Sequence, residues 1–115
     1  VTKVEADTLY GTLSLLVLRT IAAEPLHGLE ISRRIHEQAG EALKIDEGAL
    51  YPALHRLERD GLVEGEWGVS EKRRRAKFYR LTADGKRRLQ REVQRWVKHA
   101  NAVASVLGVP AAWGD

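Results

Sequence analysis

The 115-residue sequence predicts a mainly α (α+β) fold: three helices, a two-stranded hairpin and one long C-terminal helix. Three observations predict it. Leu50, Ala53, Leu54 and Leu57 recur at helical spacing behind Asp46, a good N-cap. Two β-rich segments, LVEGEW (62–67) and KFYRLT (77–82), flank a charged turn, GVSEKRRRA. Finally, Leu89, Val93, Trp96, Ala100, Val103 and Leu107 alternate steps of four and three, the seam of a helix that pairs with another helix. Helix, turn, helix and hairpin together form the layout of a winged helix-turn-helix, whose second motif helix enters the major groove of DNA.

Residues 8–23 carry leucines and valines on more than one side: Leu9, Leu13 and Leu16 form one stripe, while Leu15 and Leu18 face elsewhere. A helix apolar nearly all round is covered on several sides, and in so small a chain part of that cover is expected from a partner. Pro25 punctuates, and residues 28–39 set Ile31 and Ile35 one turn apart, with Gly40 just past the helix end.

In the third helix Ile45 and Leu50 hold the positions of a hydrophobic staple. The face opposite its core stripe holds Gly48, Pro52, His55, Arg56 and Arg59, with Tyr51 at the margin. Pro52 removes a backbone donor and crowds the carbonyl four residues back, which belongs to Gly48. Gly48, Ala49 and Pro52 thus make a slim leading turn, fit to approach a duplex; alternatively, Pro52 only shapes the start of an ordinary surface helix. Gly61 ends this helix, and Thr82 caps the last one, which Gly108 and Pro110 stop. The winged helix-turn-helix is expected to span 1–82 and the dimerisation helix 83–108, followed by an irregular tail, 109–115.

Composition limits the function classes. At 43% hydrophobic the chain can bury one ordinary core. With no cysteine it has neither disulfides nor thiolate metal sites. The longest apolar stretch, near Leu13–Leu18, is too short for a bilayer and lacks signal-peptide flanks, so a cytoplasmic protein without membrane association is expected. Net charge is only +3, but six of the nine residues from Lys72 to Arg80 are basic, which concentrates positive potential on the hairpin.

Tyr51 and His55 are of a type to reach phosphate or base edges, and Arg56 to pair with phosphate or guanine. The other reading of this face is a solvated polar surface, which its scarcity of carboxylates disfavours. Glu47 departs from the pattern, since a carboxylate repels phosphates, although it also favours a helix N-terminus. Lys72, Arg73, Arg74 and Arg75, with Lys77, would form a wing that grips phosphates or places an arginine in the minor groove. Solubilising loops usually mix signs, and after Glu71 this one does not. Ser32 and Arg33 are candidates for backbone support contacts, with a plain surface role equally open.

LHGLEISRRI, EGALYPALHRLERDGLV and RRAKFYRLTADGKRRL together resemble the PadR-like transcriptional regulators over roughly residues 9–107, and EWGVSEKRRRAKFYRLT is especially similar to the acidobacterial-type subgroup. The resemblance implies a homodimer built from the first and last helices, repression of a nearby promoter through a short inverted repeat in double-stranded DNA, and control of efflux, detoxification or phenolic-acid genes. In one branch of that family a tryptophan on the last helix stacks on flat hydrophobic ligands between subunits. Trp96 is therefore a candidate contact for a small aromatic or hydrophobic effector, although dimer packing alone explains it.

An enzyme is not expected. His27, His36, His55 and His99 lack the spacing of a helical metal pair, and no carboxylate dyad, nucleophile elbow or phosphate-cradling loop occurs, so no metal or cofactor is expected either. His27 reads as a packed or capping residue. Trp67 is expected on the hairpin or against a partner; Trp113 has no assignable role. The competing readings are a winged-helix module that docks protein, and a small-molecule-binding protein with vestigial DNA binding.

Overall fold

The computed structural model describes the backbone of residues 3–110 and the side chains of residues 12–110. The element order is α1 (Lys3–Thr20), β1 (Leu26–His27), α2 (Gly28–Ala39), a single 3-10 turn (Gly40–Ala42), α3 (Glu47–Arg59), β2 (Val63–Val69), β3 (Arg75–Leu81) and α4 (Ala83–Leu107). Trp113 and the side chain of Leu9 lie outside the described residues.

The first helix ends at Thr20, earlier than its composition suggests, and there the Thr20 hydroxyl donates to the Leu16 carbonyl at 2.6 Å. Leu13, Val17, Leu18 and Ile21 are buried, and α1 touches α2, α3 and α4. From Leu13 onward the chain covers its first helix on several sides, and Ser14, Leu15 and Leu16 stay half-buried. The cover comes from α3 and α4, with a smaller share from α2.

On α2, Ile31 and Ile35 meet the core, as do Leu50, Ala53, Leu54 and Leu57 of α3. His27 caps α2: its Nδ1 accepts from the Glu30 N–H at 3.4 Å, while its ring meets Phe78 edge-on at 5.3 Å. Asp46 caps α3 by accepting from the Gly48 N–H, and Ile45 packs on the core beside that start.

The sheet is antiparallel in the order β1-β3-β2. Its third strand, β1, has two residues, too few to show any alternation in sequence; pairing of Leu26 with Tyr79 and His27 with Phe78 makes it a strand. The hairpin strands are longer than their composition marks, with pairing from Val63↔Leu81 out to Val69↔Arg75. The nine-residue basic tip expected from sequence is correspondingly a tight turn of five residues, 70–74, and Arg75 belongs to β3.

The start of α4 is a compact joint. The Thr82 hydroxyl donates to the Gly61 carbonyl at 2.7 Å and accepts from the Gly85 N–H at 3.0 Å, while the Thr82 N–H reaches the Leu62 carbonyl at 3.1 Å. Gly85 is buried there, so close to the Leu62 carbonyl oxygen that a Cβ would run into it. At the far end Gly108 takes the left-handed conformation, φ 73°, and Val109 N–H closes onto the Ala104 carbonyl at 3.0 Å, a glycine helix stop.

Charge organises α2 as well. Glu30 accepts from Arg33 and Arg34, and these two guanidinium groups hold its carboxyl far below the usual 4.5, at about 2. The folded state favours the ionised form, so the stabilisation Glu30 supplies is complete above pH 4.5 and lost as pH falls toward 2. The melting temperature should drop more steeply over that window in the native protein than in Glu30→Gln; parallel acid limbs would remove Glu30 as a cause.

Candidate nucleic-acid interface

The third helix runs through Pro52 without a break. Proline has no N–H to give the Gly48 carbonyl, yet the helix keeps its course, and Gly48 and Ala49 leave its leading turn narrow. Gly48, Pro52 and His55 lie exposed, each about one turn from the next. Ala49 is half-buried against the core.

Tyr51 is half-buried and presses its ring on the start of α2: a Cβ on Gly28 would come within 2.7 Å of the phenol oxygen. Burial, and then the charge of Glu47, push the phenol pKa up, so at neutral pH the hydroxyl is a hydrogen-bond donor. Gly28 thereby sets the position of a side chain on the neighbouring helix.

The hairpin presents two faces. Val63, Gly65, Trp67 and Val69 share the inner one with Leu81, Tyr79, Lys77 and Arg75, their cross-strand partners. Near the core this face is buried; toward the tip it opens, with Trp67 and Val69 exposed. The Arg75 guanidinium lies over the Trp67 ring, 4.4 Å from its centroid, a cation-π contact that holds the arginine against the strand. Arg80 faces the other side and pairs with Glu64.

The tip is closed by Ser70, whose N–H donates to the Arg74 carbonyl at 2.8 Å and whose own carbonyl accepts from the Arg73 N–H at 2.9 Å. Arg73 has φ +59°, and among the described residues the other positive-φ positions, 40, 61 and 108, are glycines. Within this turn Ser70 and Arg74 close a three-residue loop whose last residue, Arg73, is left-handed, a place that favours glycine, and arginine there stores strain on the order of 1 kcal/mol. The fold keeps a long cation at the apex where glycine would be easier.

Between the inner face of the hairpin and the leading ends of α2 and α3 runs a cleft of about 480 Å³. Tyr51, Leu29, Trp67, Lys72, Arg74, Arg75 and Lys77 line it. The fold thus joins most of the sequence-nominated wing residues to the margin of the third helix.

Three nominated residues are placed differently. Arg56 is half-buried in a groove with Ser14, Leu15, Asp60, Arg88 and Glu92, because its position on α3 turns it toward α1 and α4 and away from the cleft. Arg33 reaches the cleft, but Glu30 and Glu37 already engage its guanidinium. Lys77 is bound to Glu58 at 2.9 Å. Ser32 is half-buried on α2. Trp67, Leu29 and Glu58 were not nominated for this site; alternation along β2 puts Trp67 on the Val63 face, whereas Leu29 and Glu58 give no local signal.

Along α4, Leu89 is half-buried against the chain's own core, and Ala100 is half-buried too. The open apolar stripe starts at Val93 and continues through Trp96, Val103, Val106 and Leu107. Among the described residues no cluster of three or more His, Cys, Asp or Glu could hold a metal ion, and no helix is long and apolar enough to cross a membrane.

Comparison with known proteins decides the kinship. The sequence profile of the transcriptional regulator PadR-like family matches residues 17–91. The chain belongs to the PadR-like family. The crystal structure of a PadR-like transcription factor from Bacteroides fragilis superposes with a TM-score of 0.75 at 28% identity, covering 91% of this chain and 99% of that one. A PadR-like transcriptional regulator from Bacillus cereus gives 0.74 at 29% identity, covering 88% and 96%. An uncharacterized protein of Lysinibacillus sphaericus is 32% identical over 83% of this chain and 87% of its own length. PadR-like proteins are DNA-binding transcription regulators and not enzymes, and this PadR-like chain has their winged helix. These matches are to the PadR-like family as a whole.

Proposed function

We propose that this PadR-like regulator is a homodimeric repressor acting in the cytoplasm, which presents two α3 helices and two wings to an inverted-repeat operator in double-stranded DNA. The observation that carries this reading is the shared cleft: Tyr51, at the margin of a slim, carboxylate-poor helix face, lines it together with Lys72, Arg74 and Arg75 of the wing. Gly48, Pro52 and His55 supply the base-facing side, with Tyr51 beside them, and the wing residues, Arg73 included, take the phosphate backbone.

The α4 stripe supports dimerisation. Val106 and Leu107 are 87% and 68% exposed in the single chain, and a helix stripe this apolar gains by pairing with its copy. Trp96 sits on the same stripe, so a small aromatic or hydrophobic effector held between subunits would sense the dimer geometry directly. Residues 66–82 support affinity with the acidobacterial-type subgroup.

The test is enrichment of binding sites from a random duplex pool, followed by titration of the enriched duplex and a scrambled one at several salt concentrations. A two-fold symmetric site bound by two chains, with about a 1000-fold preference over the scramble, is expected. His55→Ala and Tyr51→Ala should then change the ranking of operator variants; equal losses on all duplexes would make both residues backbone contacts.

A further inference from the structure

We infer that Glu58 and Lys77 form a strut that fixes the angle between α3 and the wing, and so sets the spacing at which the two elements contact a duplex. This rests on the DNA-binding reading above and assigns Lys77 a positioning role in place of a phosphate contact.

Three elements converge on the pair. Glu58 lies on the last turn and a half of α3 and Lys77 on β3, nineteen residues away, with Nζ and Oε1 2.9 Å apart. Both side chains are about two-thirds covered, 27% and 33% exposed. The ammonium also lies 5.5 Å from the ring centroid of Tyr79, which is itself buried. The third element is β2, where Gly65 stands opposite Tyr79: a Cβ there would collide with Lys77 Cε and come within 3.1 Å of Glu58 Oε2. The lysine crosses the strand through the space that glycine leaves. Glu58 holds the Lys77 pKa above its usual value, so the lysine stays protonated throughout the neutral range.

A lysine already neutralised at 2.9 Å brings almost no net charge to a phosphate, and binding at this point releases no counterion. What the pair supplies is rigidity. The hairpin is anchored to the core at Val63, Tyr79 and Leu81, and the strut ties its next layer, between core and tip, to the helix.

The experiment uses the full chain and the duplex enriched from a random pool, together with a derivative carrying one extra base pair between the segments protected by α3 and by the wing. The native protein should bind the derivative about tenfold more weakly, a single-step mismatch in the site. Glu58→Gln removes the bridge by charge, and Gly65→Ala removes it by displacing Lys77 with both charges kept; each should shrink that discrimination to within about threefold. The double exchange Glu58→Lys with Lys77→Glu should restore it. Lys77→Met should leave the salt slope unchanged. A slope lowered by about one in Lys77→Met makes Lys77 a phosphate contact and overturns the inference. So does a native protein indifferent to the extra base pair, or discrimination preserved in both Glu58→Gln and Gly65→Ala. A native protein that enriches no duplex refutes the DNA-binding reading itself, a result separate from these.

Discussion

Replacing Arg73, Arg74 and Arg75 together by alanine should weaken binding to every duplex, cognate or scrambled, on the order of a hundredfold at physiological salt. Three phosphate contacts contribute roughly 2.7 to the slope of log affinity against log salt, so the variant's titrations should flatten by about that amount. The uniformity follows if these residues hold phosphates, as proposed, since phosphates carry no sequence. Because all three lie at or beside a surface turn, the melting temperature should stay close to that of the native protein. An unchanged salt slope would take the wing out of the interface.

The second large effect is on folding. Gly85→Ala should destabilise the protein by roughly 2–3 kcal/mol, because the added methyl meets a backbone carbonyl, which cannot rotate out of the way as a side chain can. The Leu62 carbonyl is already fixed by the Thr82 N–H, and Thr82 in turn caps α4. Relief therefore requires moving the base of the whole helix. Urea denaturation should show a lowered midpoint with an unaltered slope, the signature of lost stability without a change in the surface exposed. A midpoint matching the native protein would mean that the joint is looser than its geometry indicates.

Much of this architecture was legible in the chain. The caps at Asp46 and Thr82 and the stop at Gly108 are local chemistry, so they mark element ends before any packing is known. The core stripe of α3 follows from spacing alone. What the chain hid depends on partners distant in sequence. The strand β1 exists only because β3 passes beside it, and a two-residue strand has no period of its own. Spacing put Arg56 on the polar face of its helix, but which neighbour covers that side was decided by α4 arriving from thirty residues downstream. Lys77 looked like one more cation in a basic run; Glu58 across the helix–strand boundary, and the missing side chain at Gly65, turned it into a tie. Arg73 gave no warning either, since a left-handed turn position ordinarily announces itself with glycine or asparagine.

The joint beneath α4 also acts as the pivot of a lever. The helix has 25 residues, hence a length of about 37 Å, while its base turns on the few atoms where Gly85 meets Leu62. A tilt of about 5° at that pivot carries the far end through about 3 Å, close to the roughly 3.4 Å rise of one base-pair step. In a dimer held together by these helices, the separation of the two α3 helices would inherit that gain. In the proposed dimer, a molecule wedged along the stripe would need to change that tilt by only a few degrees to move one half out of step with an operator.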